Sequence, residues 1–204
     1  MVDSKARRRA RLRRVLLAGV LAVMAGGVRA QGPQAYLRVT RAATSRDSQA
    51  VAPTWGTHTR DYTRSVTINI QVRGMGSAGR ANLEWYFIAK SNRSGQLWIF
   101  DQGEEALDLH PAKLIELQKS SKELSASVSE YGAWMRREEG SRVEGYVVRM
   151  TAGGKVLAVA ASAKTLEVLA RDPVKWAALV ETTEKIRAER VRRERGEAPG
   201  AQEP

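Results

Sequence analysis

The sequence predicts a mainly β fold, an antiparallel β-sandwich followed by a C-terminal α-helix. Three observations predict it. Several short segments alternate apolar and polar side chains with the period of two that half-buried strands show. Turn-forming residues separate these segments at short intervals, and no helix alternates with them as a βαβ unit would require. The strand pattern covers residues 31–161, and helical spacing replaces it over residues 162–195. From the strand and turn pattern we expect an immunoglobulin-like arrangement of the sandwich.

In the first half of the chain the alternation is clearest at residues 65–73, where four branched apolar side chains share one face and polar side chains share the other. This pattern is typical of a strand with one buried and one solvated face. Residues 83–90 carry bulky side chains on both faces, so we predict a central strand with Trp85 as its large core residue. Weaker patterns predict strands at residues 35–41 and 96–101.

Two other segments lack a clear period. The polar residues 42–62 contain few large apolar side chains and are predicted to form a long loop. Residues 111–128 fit two structures: Pro111 and the leucine spacing suit a helix, whereas the short, turn-bounded neighbours favour a strand. We expect a strand there, and the helix stays open as the alternative.

The best hairpin signal lies at Gly153 and Gly154, which join two β-rich segments at residues 143–150 and 155–161. Consecutive glycines supply the positive φ angles that a tight hairpin turn requires. We expect two sets of side chains to meet across the pair, namely Tyr146, Val148 and Met150 with Leu157, Val159 and Ala161.

The C-terminal region is predicted to be helical. Residues 162–170 form a short helix, and Asp172 followed by Pro173 is typical of an N-cap and the first position of a second helix. Residues 196–204 are predicted to be a disordered tail. An apolar stripe at helical spacing should dock the second helix on the body; it consists of Trp176, Leu179, Val180, Thr183 and Ile186.

Residues 1–30 have the parts of a secretory signal peptide. A basic segment at residues 5–14 precedes an apolar run of 14 residues, and Val28 and Ala30 are suited to positions −3 and −1 of a cleavage site. A membrane-spanning helix needs about 20 apolar residues, so cleavage after Ala30 is expected rather than anchoring. We therefore predict a periplasmic or envelope-associated protein; the general and twin-arginine export routes both stay open.

Most of the positive charge lies in this leader. The chain has 34 Lys and Arg residues against 22 Asp and Glu, a net charge of +12. Residues 1–30 contain eight basic residues and one acidic residue, which leaves a net charge of +5 for the remainder. Nucleic acid is not an expected partner, because its recognition requires a basic patch on the folded domain itself.

Several classes of catalytic and metal site find no support. The chain has no cysteine, which excludes disulfides, thiolate nucleophiles and cysteine-bound metals. Its two histidines, His58 and His110, lie far apart and outside any recognisable nucleophile motif. Residues 74–79 match G-x-G-x-x-G, but a strand is predicted next instead of the helix that dinucleotide binding requires. We expect no enzyme activity, no cofactor and no resident metal.

Two local clusters leave alternatives open. Carboxylates are concentrated at Asp101, Glu104, Glu105 and Asp108, and their oxygens suit calcium, although the spacing differs from that of an EF-hand. An acidic solvated turn is the simpler interpretation. The aromatic side chains of Trp98 and Phe100 could stack on sugars or bases, but we expect them to pack in the core or against the C-terminal helix.

The arginine-rich end of the C-terminal helix is the best candidate contact site in the sequence. Such a segment can contact an anionic lipid surface, a polyanion or an acidic protein. Interspersed glutamates at helical spacing could instead satisfy the arginines within the helix. The candidate contact residues are Arg187, Arg190, Arg192, Arg193 and Arg195.

Four segments resemble a group of small secreted bacterial proteins. They are residues 83–90 (LEWYFIAK), 145–149 (GYVVR), 154–157 (GKVL) and 169–173 (LARDP). In that group the fold is an immunoglobulin-like sandwich, and one member is encoded among pilus or secretin-assembly genes. The resemblance covers roughly residues 35–175. It implies an envelope protein without enzymatic activity, and it implies no site residues.

These observations predict an exported, non-enzymatic protein that acts through protein contacts at the cell envelope, with a pilus-like or secretion assembly as the setting that the resemblance implies. An edge strand of the sandwich could accept a partner strand. The alternative is a module that binds polyanions, carbohydrate or a membrane surface through its arginine-rich end. A hydrolase that uses Asp101, Glu104 or His110 is the third class. The identity of the partner and the oligomeric state stay open.

Overall fold

Four ranges of the chain are described by the computed structural model: residues 34–54, 57–75, 78–131 and 135–195. The predicted signal peptide and the predicted C-terminal tail lie outside these residues. Eight strands and two helices occur in the described ranges. They are β1 (Gln34–Thr54), β2 (Thr57–Met75), β3 (Gly79–Ser91), β4 (Leu97–Leu109), β5 (Leu114–Ser120), β6 (Leu124–Tyr131), β7 (Met135–Ala152), β8 (Lys155–Ala161), α1 (Lys164–Arg171) and α2 (Pro173–Glu194).

Strand β2 organises one side of the fold. It pairs with β1 along one edge; along its other edge, its second half pairs with β5 and its first half with β6. Ser121, between β5 and β6, continues this ladder. Its hydroxyl accepts a hydrogen bond from the Val66 N–H at 2.9 Å, and its own N–H donates to the Val66 carbonyl at 2.8 Å.

Strand β7 connects the two sides. Residues 135–140 pair with β6, whereas residues 141–151 pair with β3, and the end of β7 also pairs with β8. Gly140 lies at the switch with a φ of +87°, and a Cβ there would lie 3.0 Å from the Ala126 Cα. Glycine is therefore the residue that lets the strand change partners without a clash. All the recorded strand pairs are antiparallel.

The main core lies between the second half of β2 and the layer formed by β3, β4 and β7. The predicted alternation at residues 65–73 is confirmed, because its four apolar side chains are buried. β3 is central, as predicted, since it pairs with β4 on one side and β7 on the other. The core comprises Val66, Ile68, Ile70, Val72, Ala81, Leu83, Phe87, Leu107, Leu109, Val148 and Met150.

The helices cover the opposite face of the β3–β4–β7 layer, where a second apolar cluster forms. Asp172 is the N-cap of α2, as predicted: its Oδ1 accepts hydrogen bonds from the N–H groups of Val174 at 3.0 Å and Lys175 at 3.2 Å. Most of the predicted stripe docks here, but Val180 is exposed. The cluster comprises Ile88, Ile99, Val147, Val159, Leu166, Ala170, Trp176 and Leu179.

The fold class is confirmed as mainly β and antiparallel, with C-terminal helices. The immunoglobulin-like arrangement stays a prediction. The expected strand within residues 111–128 is confirmed as β5 and β6. The prediction of a loop at residues 42–62 was wrong, because most of this segment belongs to β1 and β2, which pair with each other. The strands of this segment bury no apolar face, so their sequence lacks the alternation of apolar and polar residues that predicts a strand.

The hairpin formed by β7 and β8 has the predicted turn but a different pairing. The Gly153–Gly154 turn is confirmed, with φ angles of 55° and 74°. However, Leu157 is an extra residue in β8, since Val156 pairs with Thr151 and Ala158 pairs with Met150. This bulge reverses the faces that follow, so Val159 lies opposite Arg149 instead of Val148.

Trp85 is half-buried at the edge of the main core, opposite Gly103 in the register, rather than being the large core residue of its strand. Phe87 has that role and is fully buried. The Trp85 ring lies instead beneath the Lys119 ammonium group, whose nitrogen is 4.4 Å from the ring centroid.

Candidate functional site

An exposed four-stranded region is the first candidate. We call it the extension and define it as residues 41–54 of β1, 58–64 of β2, 125–131 of β6 and 135–140 of β7. None of its described side chains is buried, on either face. β1 forms its edge, since among the described strands β1 pairs with β2 alone. The outer edge of β1 therefore presents backbone N–H and C=O groups that have no strand partner.

A recess next to the turn between β3 and β4 is the second candidate, which we call the turn groove. It has a volume of about 380 Å³ and is lined mainly by polar and charged residues. Lys90 at the end of β3 lies directly opposite Arg142 of β7 in the register. The other residues that line the turn groove include Ser91, Asn92, Arg136 and Glu138.

A larger recess of about 520 Å³ adjoins the turn groove and shares Ser91 and Glu138 with it. The end of α2 forms one wall and contributes Ile186, Glu189 and Arg190. The indole N–H of Trp98 donates to the Ser141 hydroxyl at 3.2 Å, so this side of the recess is fixed.

The arginine-rich helix end is partly fastened to the body. The Arg187 guanidinium donates to the Ile99 carbonyl at 3.3 Å and contacts Glu184 at 3.1 Å. The Arg190 guanidinium lies 4.3 Å from the centroid of the Trp98 ring. Arg192 and Arg195 are exposed, whereas the side chain of Arg193 lies outside the described part of the structure. Arg187 and Arg190 therefore contact the body, and the contact role of this helix end stays a prediction. Trp98 itself is buried and contacts α2, as expected.

The four clustered carboxylates do not converge on one point. They lie on β4, where successive side chains alternate between faces, so Asp101 and Glu105 lie on one face and Glu104 and Asp108 on the other. Glu105 pairs with Lys119 at 2.6 Å, and an Asp101 oxygen accepts the Lys122 N–H at 2.8 Å. Within the described residues, no group of three His, Asp or Glu side chains is arranged to hold a metal ion.

The two histidines are separated in the structure as well. His58 is exposed on β2 opposite Glu130 of β6, and His110 is exposed in the turn after β4, as expected for a loop residue. The glycine-rich segment at residues 74–79 connects β2 to β3, and the element that follows it is a strand, as predicted.

Sequence reasoning missed a polar cluster beneath α2. The hydroxyls of Tyr86 and Thr151 donate to the Glu84 carboxylate at 2.9 and 3.1 Å. Arg149 approaches Glu84 at 3.9 Å, and its guanidinium lies 4.8 Å from the centroid of the Trp176 ring. Burial and the neighbouring Glu84 charge raise the pKa of Tyr86.

This cluster fastens α2 to the sheet, because the Tyr86 and Trp176 rings also meet edge to face at 4.7 Å. The sequence does indicate that Glu84 and Tyr86 lie on one face of the same strand. Predicting the whole cluster also requires the strand register, which places Arg149 opposite Glu84.

Comparisons with known proteins show a distant likeness only. No family model matches the chain, and no curated protein matches it at a significant level. A Bacteroides fragilis protein assigned as a β-galactosidase has a TM-score of 0.32 and 15% identity over 52% of this chain, which spans 15% of that protein. A protein from Akkermansia muciniphila has a TM-score of 0.32 and 12% identity; the match covers 68% of this chain and 75% of the Akkermansia chain. Both are β-rich, and neither similarity identifies a family.

Neither α1 nor α2 combines the length and the apolar composition that a bilayer-spanning helix needs.

Proposed function

We propose that this protein is exported to the cell envelope and acts there, without catalysing a reaction, by binding a partner protein along β1. The leader pattern of residues 1–30 supports export. The observation that supports the binding mode is the extension, which has no buried side chain among its described residues and whose edge strand has one partner among the described strands.

Strand addition fits this surface better than docking on one of its faces. The faces of the extension are rich in Ser, Thr, Arg and Glu, so they present little continuous apolar area for a stable face-to-face contact. The edge of β1 offers a row of backbone donors and acceptors, which is what an added strand uses. The opposite edge of the fold, β4, is less accessible because α2 packs along it.

Crosslinking from single cysteines tests this mode, since the chain has no cysteine of its own. We would introduce Ala42→Cys, Ala43→Cys and Thr44→Cys separately in exposed positions of β1 and attach a benzophenone group. Lys155→Cys, at the exposed first residue of β8, is the matched control. Each labelled protein is then irradiated with a cell-envelope extract, with or without an excess of unlabelled protein.

An added strand lies beside all three consecutive residues. We therefore expect the same partner to be crosslinked from positions 42, 43 and 44, to be lost on competition, and to be absent from the control. Crosslinking from alternate positions alone would indicate docking on a face and would contradict strand addition. Equal capture from Lys155→Cys, or none from β1, would contradict the proposed function.

A further inference from the structure

Two cations face each other in the turn groove without a shared counter-ion. Lys90 and Arg142 occupy directly opposite positions of the antiparallel pair formed by β3 and β7. Side chains in such a pair have Cβ atoms about 5 Å apart, and like charges there repel. Arg142 approaches Glu144 at 3.8 Å, whereas the Lys90 side chain makes no ion pair or hydrogen bond within the described residues.

The rest of the groove adds further donors and one carboxylate, that of Glu138. Arg136 lines the same recess, and its charge is shared with Glu138 at 2.8 Å. The backbone of Asn92 is held by a hydrogen bond from its N–H to the Gly140 carbonyl at 3.1 Å. No described residue is a partner for the Asn92 side-chain amide, which therefore retains an unused N–H donor at the wall of the groove.

We propose that the turn groove binds a phosphate monoester carried by a soluble molecule, an oxyanion with up to two negative charges at neutral pH. Three cations and one carboxylate line the recess, which leaves two positive charges for the ligand to neutralise. Lys90 and Arg142 bind the anion from the two strands, and Asn92 donates a further hydrogen bond. The lining contains no aromatic side chain on which a neutral sugar could stack.

The recessed shape favours a group on a soluble molecule over a bilayer surface. Glu138 lies in the wall, where it would be brought against an anionic membrane. This inference is independent of the proposed strand addition, because β1 does not line the groove.

Thermal unfolding and calorimetry test the proposal with glucose 6-phosphate as the probe. Sodium chloride at equal ionic strength removes general screening effects. We expect glucose 6-phosphate to raise the melting temperature of the protein above its value in chloride, because a ligand that binds the folded state stabilises it. Lys90→Gln and Arg142→Gln should each weaken binding of glucose 6-phosphate about tenfold.

Two further variants separate the groove from general charge. Asn92→Asp keeps the side-chain shape but adds a negative charge, so it should abolish binding. Lys155→Gln and Arg80→Gln remove the same charges from exposed positions elsewhere and should leave the affinity unchanged. In chloride alone, Lys90→Gln should melt at a higher temperature than the parent protein, since it removes the repulsion from Arg142.

The proposal is overturned if glucose 6-phosphate and chloride act alike, or if the control variants weaken binding as much as Lys90→Gln does. A Lys90→Gln variant that melts lower than the parent in chloride would show that Lys90 and Arg142 do not repel each other, and the assignment depends on that repulsion. Retention on phosphatidylglycerol vesicles without any binding of glucose 6-phosphate would assign the groove to a membrane surface and overturn the soluble ligand.

Discussion

The two halves of β2 are stabilised by different interactions. Residues 66–72 bury every second side chain in the main core, whereas residues 58–65 bury none, although both halves pair with strands on both edges. Along residues 58–65, backbone ladders are supplemented by hydroxyl pairs such as Ser45 with Ser65 at 2.7 Å and Thr59 with Ser129 at 3.1 Å.

This difference shows that continuous pairing and burial are separate properties of a strand. Burial of apolar area supplies most of the free energy of folding, so the stability of the molecule should be concentrated in the body around the main core and beneath the helices. The extension is then a surface that folds because the body holds its strand ends.

Phe87→Ala should give the largest effect, because it removes a fully buried ring from the main core. We expect a loss of about 3–5 kcal/mol in the free energy of unfolding, measured by urea denaturation. Tyr62→Ala in the extension is the matched aromatic control. It removes a stacking contact with Arg46, whose guanidinium lies 4.0 Å from the ring centroid, and should cost less than about 1 kcal/mol. Similar losses for both variants would remove the contrast between the two regions.

Thr183→Val tests how the helices are attached to the body. The buried Thr183 hydroxyl accepts the Ile99 N–H at 2.9 Å and donates to the Leu179 carbonyl at 2.8 Å. Valine keeps the shape but leaves the buried N–H unsatisfied, so we expect a loss of about 1–3 kcal/mol in urea denaturation. Thr182→Val, one position away and without a bond to β4, should change the stability by about 0.5 kcal/mol or less. Equal effects would show that the link to Ile99 contributes nothing.

The body could be predicted from the sequence wherever burial of one face makes apolar and polar residues recur at regular spacing. The alternation from Val66 to Val72 identified β2, and Asp172 with Pro173 identified the start of α2. The extension has no buried face, so its strands looked like a polar loop. The extra residue at Leu157 could not be predicted, because a bulge changes no composition but reverses every face beyond it.

The candidate sites were less predictable than the fold, since they depend on register. Lys90 and Arg142 are distant in the sequence, and only the pairing of β3 with β7 places them opposite each other. The arginine-rich end was visible as a composition, but the packing of Arg187 and Arg190 against β4 and Trp98 required the docked helix.

Alkaline unfolding should report the polar cluster beneath α2. Burial and Glu84 raise the pKa of Tyr86 above its ordinary value of 10.0, so the folded state keeps a proton that the unfolded state loses. The stability from this group is complete below pH 10 and falls as the pH rises further, by less than about 1.4 kcal/mol per pH unit because the ring is partly exposed.

Tyr86→Phe should therefore flatten the loss of stability above pH 10, measured as urea midpoints across the alkaline range. Tyr131→Phe, in the exposed end of β6, is the control and should leave the slope unchanged. An unchanged slope in Tyr86→Phe would show that ionisation at this cluster does not couple to folding.

Asp172→Ala should have the smallest effect and should confine it to the helical side of the body. The backbone N–H of Lys175 is the main cause that lowers the pKa of Asp172 from its ordinary value of 3.8, so the folded state holds the ionised form. The stabilisation is complete above that value and is lost as the pH falls through the lower pKa of the folded state. At neutral pH we expect a fall of roughly 2–4 °C in melting temperature, and none of that difference at strongly acidic pH. Hydrogen exchange should quicken at the start of α2 while the amides of the extension exchange as before, since no cap contact reaches them. Faster exchange throughout the extension would mean that the two regions unfold as one unit.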